Sequence, residues 1–190
     1  MTLTSLLAAI GVALLATSLS GADSALPAGW LRAGDAAACR HGVRDASAAP
    51  TPRVFFIDCP ARSTGFATVM QQVSAERYAG RRLRLQAQLK ATEVQGWAGV
   101  WLRADRGGRA VAFDNMQGRA LQGSTGWQAA EVVLDIPPGT ETLSFGFLAD
   151  GAGQADATQF RLDTVGPDVS VTATAAAQPV RAEPQHLSPP

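Results

Sequence analysis

Residues 81–91 read Arg-Arg-Leu-Arg-Leu-Gln-Ala-Gln-Leu-Lys-Ala. Leu83, Leu85, Ala87 and Leu89 fall on one side of a two-residue period and Arg84, Gln86, Gln88 and Lys90 on the other. Only an extended strand sorts them this cleanly, because successive strand side chains point to opposite faces. The polar set reads as a solvated face. A single half-buried strand cannot stand alone, so the chain must supply others. Runs at 39–43, 53–59, 66–73, 97–105, 109–114, 129–136, 142–150 and 159–165 do so, giving about nine strands. Turn residues separate the later ones: Asp105-Arg106-Gly107-Gly108, Gly123-Ser124-Thr125-Gly126, Pro137-Pro138-Gly139 and Asp150-Gly151-Ala152-Gly153. No stretch holds a helical period for three turns; Ser74 to Tyr78, with Ser74 able to cap, reads as one helical turn. The expectation is an all-β, two-sheet jelly-roll sandwich.

The sandwich is expected over residues 28–166, one domain of a 190-residue chain. Before it, Leu6 to Ala16 is a short apolar run followed by small polar residues, which reads as a signal peptide over 1–22 cleaved after Ala22, although no Lys or Arg precedes the run. The run is shorter than the roughly 20 apolar residues a membrane span needs. The mature chain is therefore expected in the periplasm or secreted, without a membrane span. Residues 167–190, rich in Pro and Ala, are expected as a disordered tail. Sixteen basic residues balance sixteen acidic ones. No net field draws in nucleic acid, so that partner class is excluded.

Export gives the two cysteines a redox meaning. Cys39 and Cys59 fall on two extended segments joined by an Ala/Pro-rich turn, where facing positions of antiparallel neighbours bring them together as a disulfide. The alternative is two buried thiols. A Cys39-x-His41 metal half-site lacks any second ligand pair at zinc-like spacing.

Catalytic equipment is missing from the pattern. Of two histidines, His186 falls in the expected tail and His41 beside Cys39, and there is no Gly-x-Ser-x-Gly elbow. Asp114 with Asp135 or Glu131 offers a carboxylate pair only arithmetically, because such strand-end acids commonly form turns. Phosphate-loop and dinucleotide fingerprints are also missing. The reading is a protein with no catalytic residue, metal or cofactor.

Binding then falls to aromatic residues, since sugar rings stack on indoles while Arg, Asn, Asp and Gln satisfy hydroxyls. Trp97, Trp101 and Arg103 share parity, so with Gly99 between the indoles they form one strand face. Ala98, Val100 and Leu102 form an equally apolar opposite face, and one of the two is core. The loop Asp114, Asn115, Gln117, Arg119 is the second candidate site, with an Asx-type turn as its structural alternative. Trp127 is expected to plug one end of the sandwich.

The series Trp97…Trp101…Phe113-Asp114-Asn115-Met116…Trp127, within residues 96–154 and preceded by FATVMQQVSAERYAGRRLRLQAQLKATEV, resembles a bacterial galactose-binding-like jelly-roll domain. That domain occurs alone in exported proteins and appended to transcriptional regulators, and its superfamily includes many carbohydrate-binding modules. The resemblance runs from about Gly29 to Val165 and implies a carbohydrate or similar polyhydroxylated ligand. An envelope protein meeting the same face is the alternative partner. Related domains end in an apolar-Trp-apolar-Asp-Asp strand where this chain has Ala155-Asp156-Ala157-Thr158-Gln159. The resemblance therefore implies no calcium site there.

Overall fold

The computed structural model describes residues 25–172. The expected signal peptide and residues 173–190 of the expected tail lie outside them. Among the described residues eleven strands form: β1 Leu31–Gly34, β2 Arg40–Asp45, β3 Arg53–Cys59, β4 Phe66–Ser74, β5 Arg82–Thr92, β6 Val94–Arg106, β7 Arg109–Asp114, β8 Leu121–Gly123, β9 Gln128–Asp135, β10 Thr142–Asp150 and β11 Gly153–Val165. They make two antiparallel sheets. One has the order β1-β4-β10-β6-β7, with β8 also on β6; the other is β2-β3-β11-β5-β9. This is the expected two-sheet sandwich, with β1 and β8 added. Those two strands escape sequence reading because they are four and three residues long and bury no residue fully, so no alternation marks them.

Leu83, Leu85 and Leu89 of β5 are wholly buried, facing Val100 and Leu102 of β6 and Leu143 and Phe147 of β10 across the interlayer space. β11 begins earlier than its sequence suggests. A bulge between Thr158 and Arg161 lets Gln159, at φ 56°, take up an extra residue. Inward parity passes from Ala155 and Ala157 to Phe160 and Leu162. Phe160 thereby joins an aromatic cluster with Trp30, Phe55 and Phe147, its ring centroid 5.1 Å from that of Trp30.

Ser74 to Tyr78 forms a hydrogen-bonded turn rather than a helix: the N–H groups of Tyr78 and Ala79 both donate to the Ala75 carbonyl, at 2.8 and 2.9 Å. Cys39 and Cys59 are disulfide-bonded with Cα atoms 4.2 Å apart. They stand one step beyond the Arg40↔Asp58 pair of the β2–β3 ladder, so register alone brings them face to face. Residues 167–172, the start of the expected tail, run beside β9. The Thr172 N–H donates to the Val133 carbonyl at 3.0 Å, and Arg82 donates to the carbonyls of Pro167 and Val169.

Candidate functional site

β6 decides which strand face is core. Ala98, Val100, Leu102 and Ala104 point between the sheets and are fully buried, while Trp97, Gly99, Trp101, Arg103 and Asp105 point away from them. Small aliphatic side chains fit a gap of about 10 Å between sheets, whereas two indoles on one strand would prise it open.

Strand register then arranges the outward face in rows. Gly146 of β10 lies between Met70 and Trp101, Leu148 between Thr68 and Gly99, and Ser144 between Gln72 and Arg103. Phe113 of β7 extends the last row beside Arg103. Any Cβ at Gly146 would stand 2.1 Å from the Val69 carbonyl oxygen, so only glycine permits this strand spacing. The result is a groove of about 500 Å³ crossing from Ala33 on β1 to Phe113 on β7. Phe66 and Phe113 line it as accessible rings, 41% and 50% exposed.

Trp101 forms the floor rather than a wall. It is only 7% exposed, and its indole N–H donates to Thr68 Oγ1 at 2.8 Å. Arg103 donates through Nε and Nη2 to Asp105 Oδ1, at 2.9 and 2.6 Å. Gln72 donates to Ser144 Oγ at 3.3 Å, and Glu141 accepts the Gly107 N–H at 3.0 Å. Trp97 lies past the groove's end, half-buried, with its indole N–H on Asp150 Oδ2 at 3.1 Å. Asp150 is flanked in register by Phe66 on one side and Trp97 on the other. Such a surface stacks flat apolar faces and exchanges hydrogen bonds with hydroxyls.

The Asp114–Arg119 loop belongs to a different place, the seam between β7 and β9. Arg119 donates to both Asp114 oxygens, at 3.2 and 2.7 Å, and to the Glu131 carbonyl at 2.9 Å. The Met116 N–H and the Thr172 hydroxyl also bond Asp114. Burial pushes the Asp114 carboxyl upward, but hydrogen bonds from Arg119, Met116 and Thr172 outweigh it and hold the group below its ordinary value. Asn115 accepts the Gln117 N–H at 3.1 Å, an Asx turn, and Gln117 is exposed. The loop also explains Gly99, whose Cβ would lie 2.8 Å from the Asn115 carbonyl oxygen.

The structure therefore brings Trp101 and Arg103 together in the groove, sets Trp97 at its end, and joins Asp114 and Arg119 in a structural clamp with Asn115 in the turn between them. Phe66, Phe113, Gln72, Ser144 and Glu141 were not singled out as site residues from sequence. Phe113 carried a signal, an aromatic residue placed opposite Arg103 once β6 and β7 form a hairpin, but that signal needs the register. Trp127 is half-buried in the β8–β9 loop. His41 is on the other sheet, where burial, and after it the charge of Arg32, lowers its pKa. Asp135 is bonded to Arg82, and Glu131 to Gln86. Among the described residues no group of three or more metal-ligating side chains is found, and no helix is long and apolar enough to cross a membrane.

The fold defines an architecture, a two-sheet jelly-roll β-sandwich like that of several carbohydrate-binding modules. The CBM22-1 xylan-binding domain of Paenibacillus barcinonensis Xyn10C superposes with a TM-score of 0.56 at 10% identity, over 77% of this chain and 92% of that one. The C-terminal family 22 module of Clostridium thermocellum Xyn10B gives 0.55 at 11% identity, over 73% and 88%. The enzymatically active domain of bacteriophage CBA120 tailspike protein 4 gives 0.57 at 15% identity, over 73% of this chain and 20% of that one. At these identities the likeness is one of fold. In sequence the chain is 44% identical over 90 residues to the uncharacterized HTH-type transcriptional regulator YbfP of Bacillus subtilis (strain 168), a match covering 47% of this chain and 30% of the regulator. No family model matches the chain.

Proposed function

We propose that this protein is an exported, non-catalytic binding module whose groove across β1-β4-β10-β6-β7 takes a carbohydrate chain. The observation that carries this reading is the pair of accessible rings, Phe66 and Phe113, lining one groove with Arg103, Gln72 and Ser144 among them. Rings offer stacking surface for pyranose faces, and the polar groups exchange bonds with hydroxyls. Structural neighbours that are xylan-binding domains support the same ligand class. Export is supported by the disulfide, which persists in oxidising compartments, and by the apolar run at Leu6 to Ala16. The commitment of Asp114, Asp135 and Glu131 to neighbouring side chains supports the absence of catalysis.

The test titrates neutral β-1,4-linked oligosaccharides while following tryptophan fluorescence and melting temperature. A saturating ligand that raises the melting temperature of the wild type, but not of Phe113→Ala, supports the reading. A panel of such chains that leaves a well-folded protein unchanged removes it. The second reading, an envelope protein docking on this face, is favoured by Leu31, 52% exposed on the edge strand β1 beside the groove. Loss of envelope-protein cross-linking in Leu31→Asp, with glycans inert, selects it.

A further inference from the structure

We infer, resting on the groove reading, that the site prefers glycan chains bearing a primary ammonium over neutral or acidic chains. Its charge points that way. Arg103 and Asp105 cancel each other across their hydrogen bonds. Glu141, which lines the groove, is held by the Gly107 N–H, and Asp150, beside Trp97 just past the groove's end, by the indole N–H. Among the described residues neither carboxylate has a cationic partner. Each therefore presents carboxylate oxygens that no described cation claims within 4 Å.

The surroundings of Asp150 sharpen the inference. On the outward face it stands in register between Phe66 on β4 and Trp97 on β6. A carboxylate with an aromatic ring on either side suits an alkylammonium, which forms an ion pair with the acid and is attracted to the ring faces. An ammonium also brings three donors and no acceptor, matching an acceptor-only carboxylate. A uronate or sulfate arriving there meets the Asp150 carboxylate, and one arriving at the opposite end of β10 meets Glu141. Hydroxyls satisfy hydrogen bonds but gain no Coulomb attraction.

The test compares four probes on the full chain at low ionic strength: a β-1,4-linked glucosamine oligomer, its N-acetylated counterpart, a neutral xylose oligomer and a galacturonate oligomer. Tryptophan fluorescence reads affinity. The glucosamine chain is expected to bind about fivefold tighter than its acetylated form, the scale of a partly exposed ion pair. The ratio should fall toward one in Asp150→Asn, whose amide oxygen still accepts the Trp97 N–H, and fall in part in Glu141→Gln. It should also shrink at 1 M salt, where the Debye length is about 3 Å. Equal or tighter binding of the acetylated or acidic chain, or a preference that survives both substitutions, overturns the inference. Neutral chains that bind without an amine preference leave the groove reading standing and remove this one. Binding of none of the four removes both.

Discussion

Trp101 and Phe113 share the outward face of one sheet and do different work. Trp101, nearly enclosed and bonded to Thr68, supports the floor. Trp101→Ala is expected to cost about 3–5 kcal/mol in chemical denaturation. Phe113, half exposed, contributes little to folding, so Phe113→Ala should change stability by less than about 0.5 kcal/mol while abolishing glycan-induced protection. The sequence shows both residues as aromatic, yet exposure separates their roles, and exposure depends on strands distant in the chain. Asp114 makes the same point. Its acid side chain in a polar loop reads as a ligand contact, but Thr172, 58 residues away, and Arg119 claim it. Asp114→Asn should destabilise by about 1–3 kcal/mol, because it weakens a partly buried charged network.

Elements impose a second set of constraints. The Cys39–Cys59 bond closes a loop with a sequence separation of 20 at the end of the β2–β3 ladder. Replacing both cysteines by serine should cost about 3 kcal/mol, read from the denaturation midpoint of wild type and variant under oxidising conditions. This pairing was legible beforehand because two adjacent antiparallel segments fix facing positions by local pattern alone. The bulge in β11 was not. Gln159 adopts a left-handed conformation that costs a non-glycine residue about 1 kcal/mol, so Gln159→Gly should raise stability modestly if the bulge only reverses parity. Alternation ahead of the bulge and after it belongs to opposite parities, and a single-period reading therefore breaks the strand. Residues 155–157, where the chain departs from related domains, pair with both β3 and β5, and Gln159 is left to the bulge.

At the scale of the whole molecule, two buried acids give stability a pH signature. The Asp114 pKa is depressed in the folded state, so the stability it contributes is present above the ordinary carboxylate value and lost as pH falls through the folded one. The Asp156 pKa is raised, chiefly by burial and despite Arg44, Gln154 and Lys90. Burial makes its ionised form costly, and that cost is relieved as pH falls through its folded value. Melting temperature should therefore rise on mild acidification and fall on stronger acidification. Asp156→Asn should flatten the rise and Asp114→Asn the fall; unchanged profiles would contradict these assignments. Local alternation and turn chemistry by themselves determined an all-β sandwich, the inward set of β5 and the facing cysteines, because each rests on neighbours in the chain. Which face of β6 is core, where Asp114 is spent and that Phe66 and Phe113 line one groove were decided only by tertiary structure. Those outcomes depend on the volume between two sheets and on the register of strands far apart in sequence, and neither is written in any single segment.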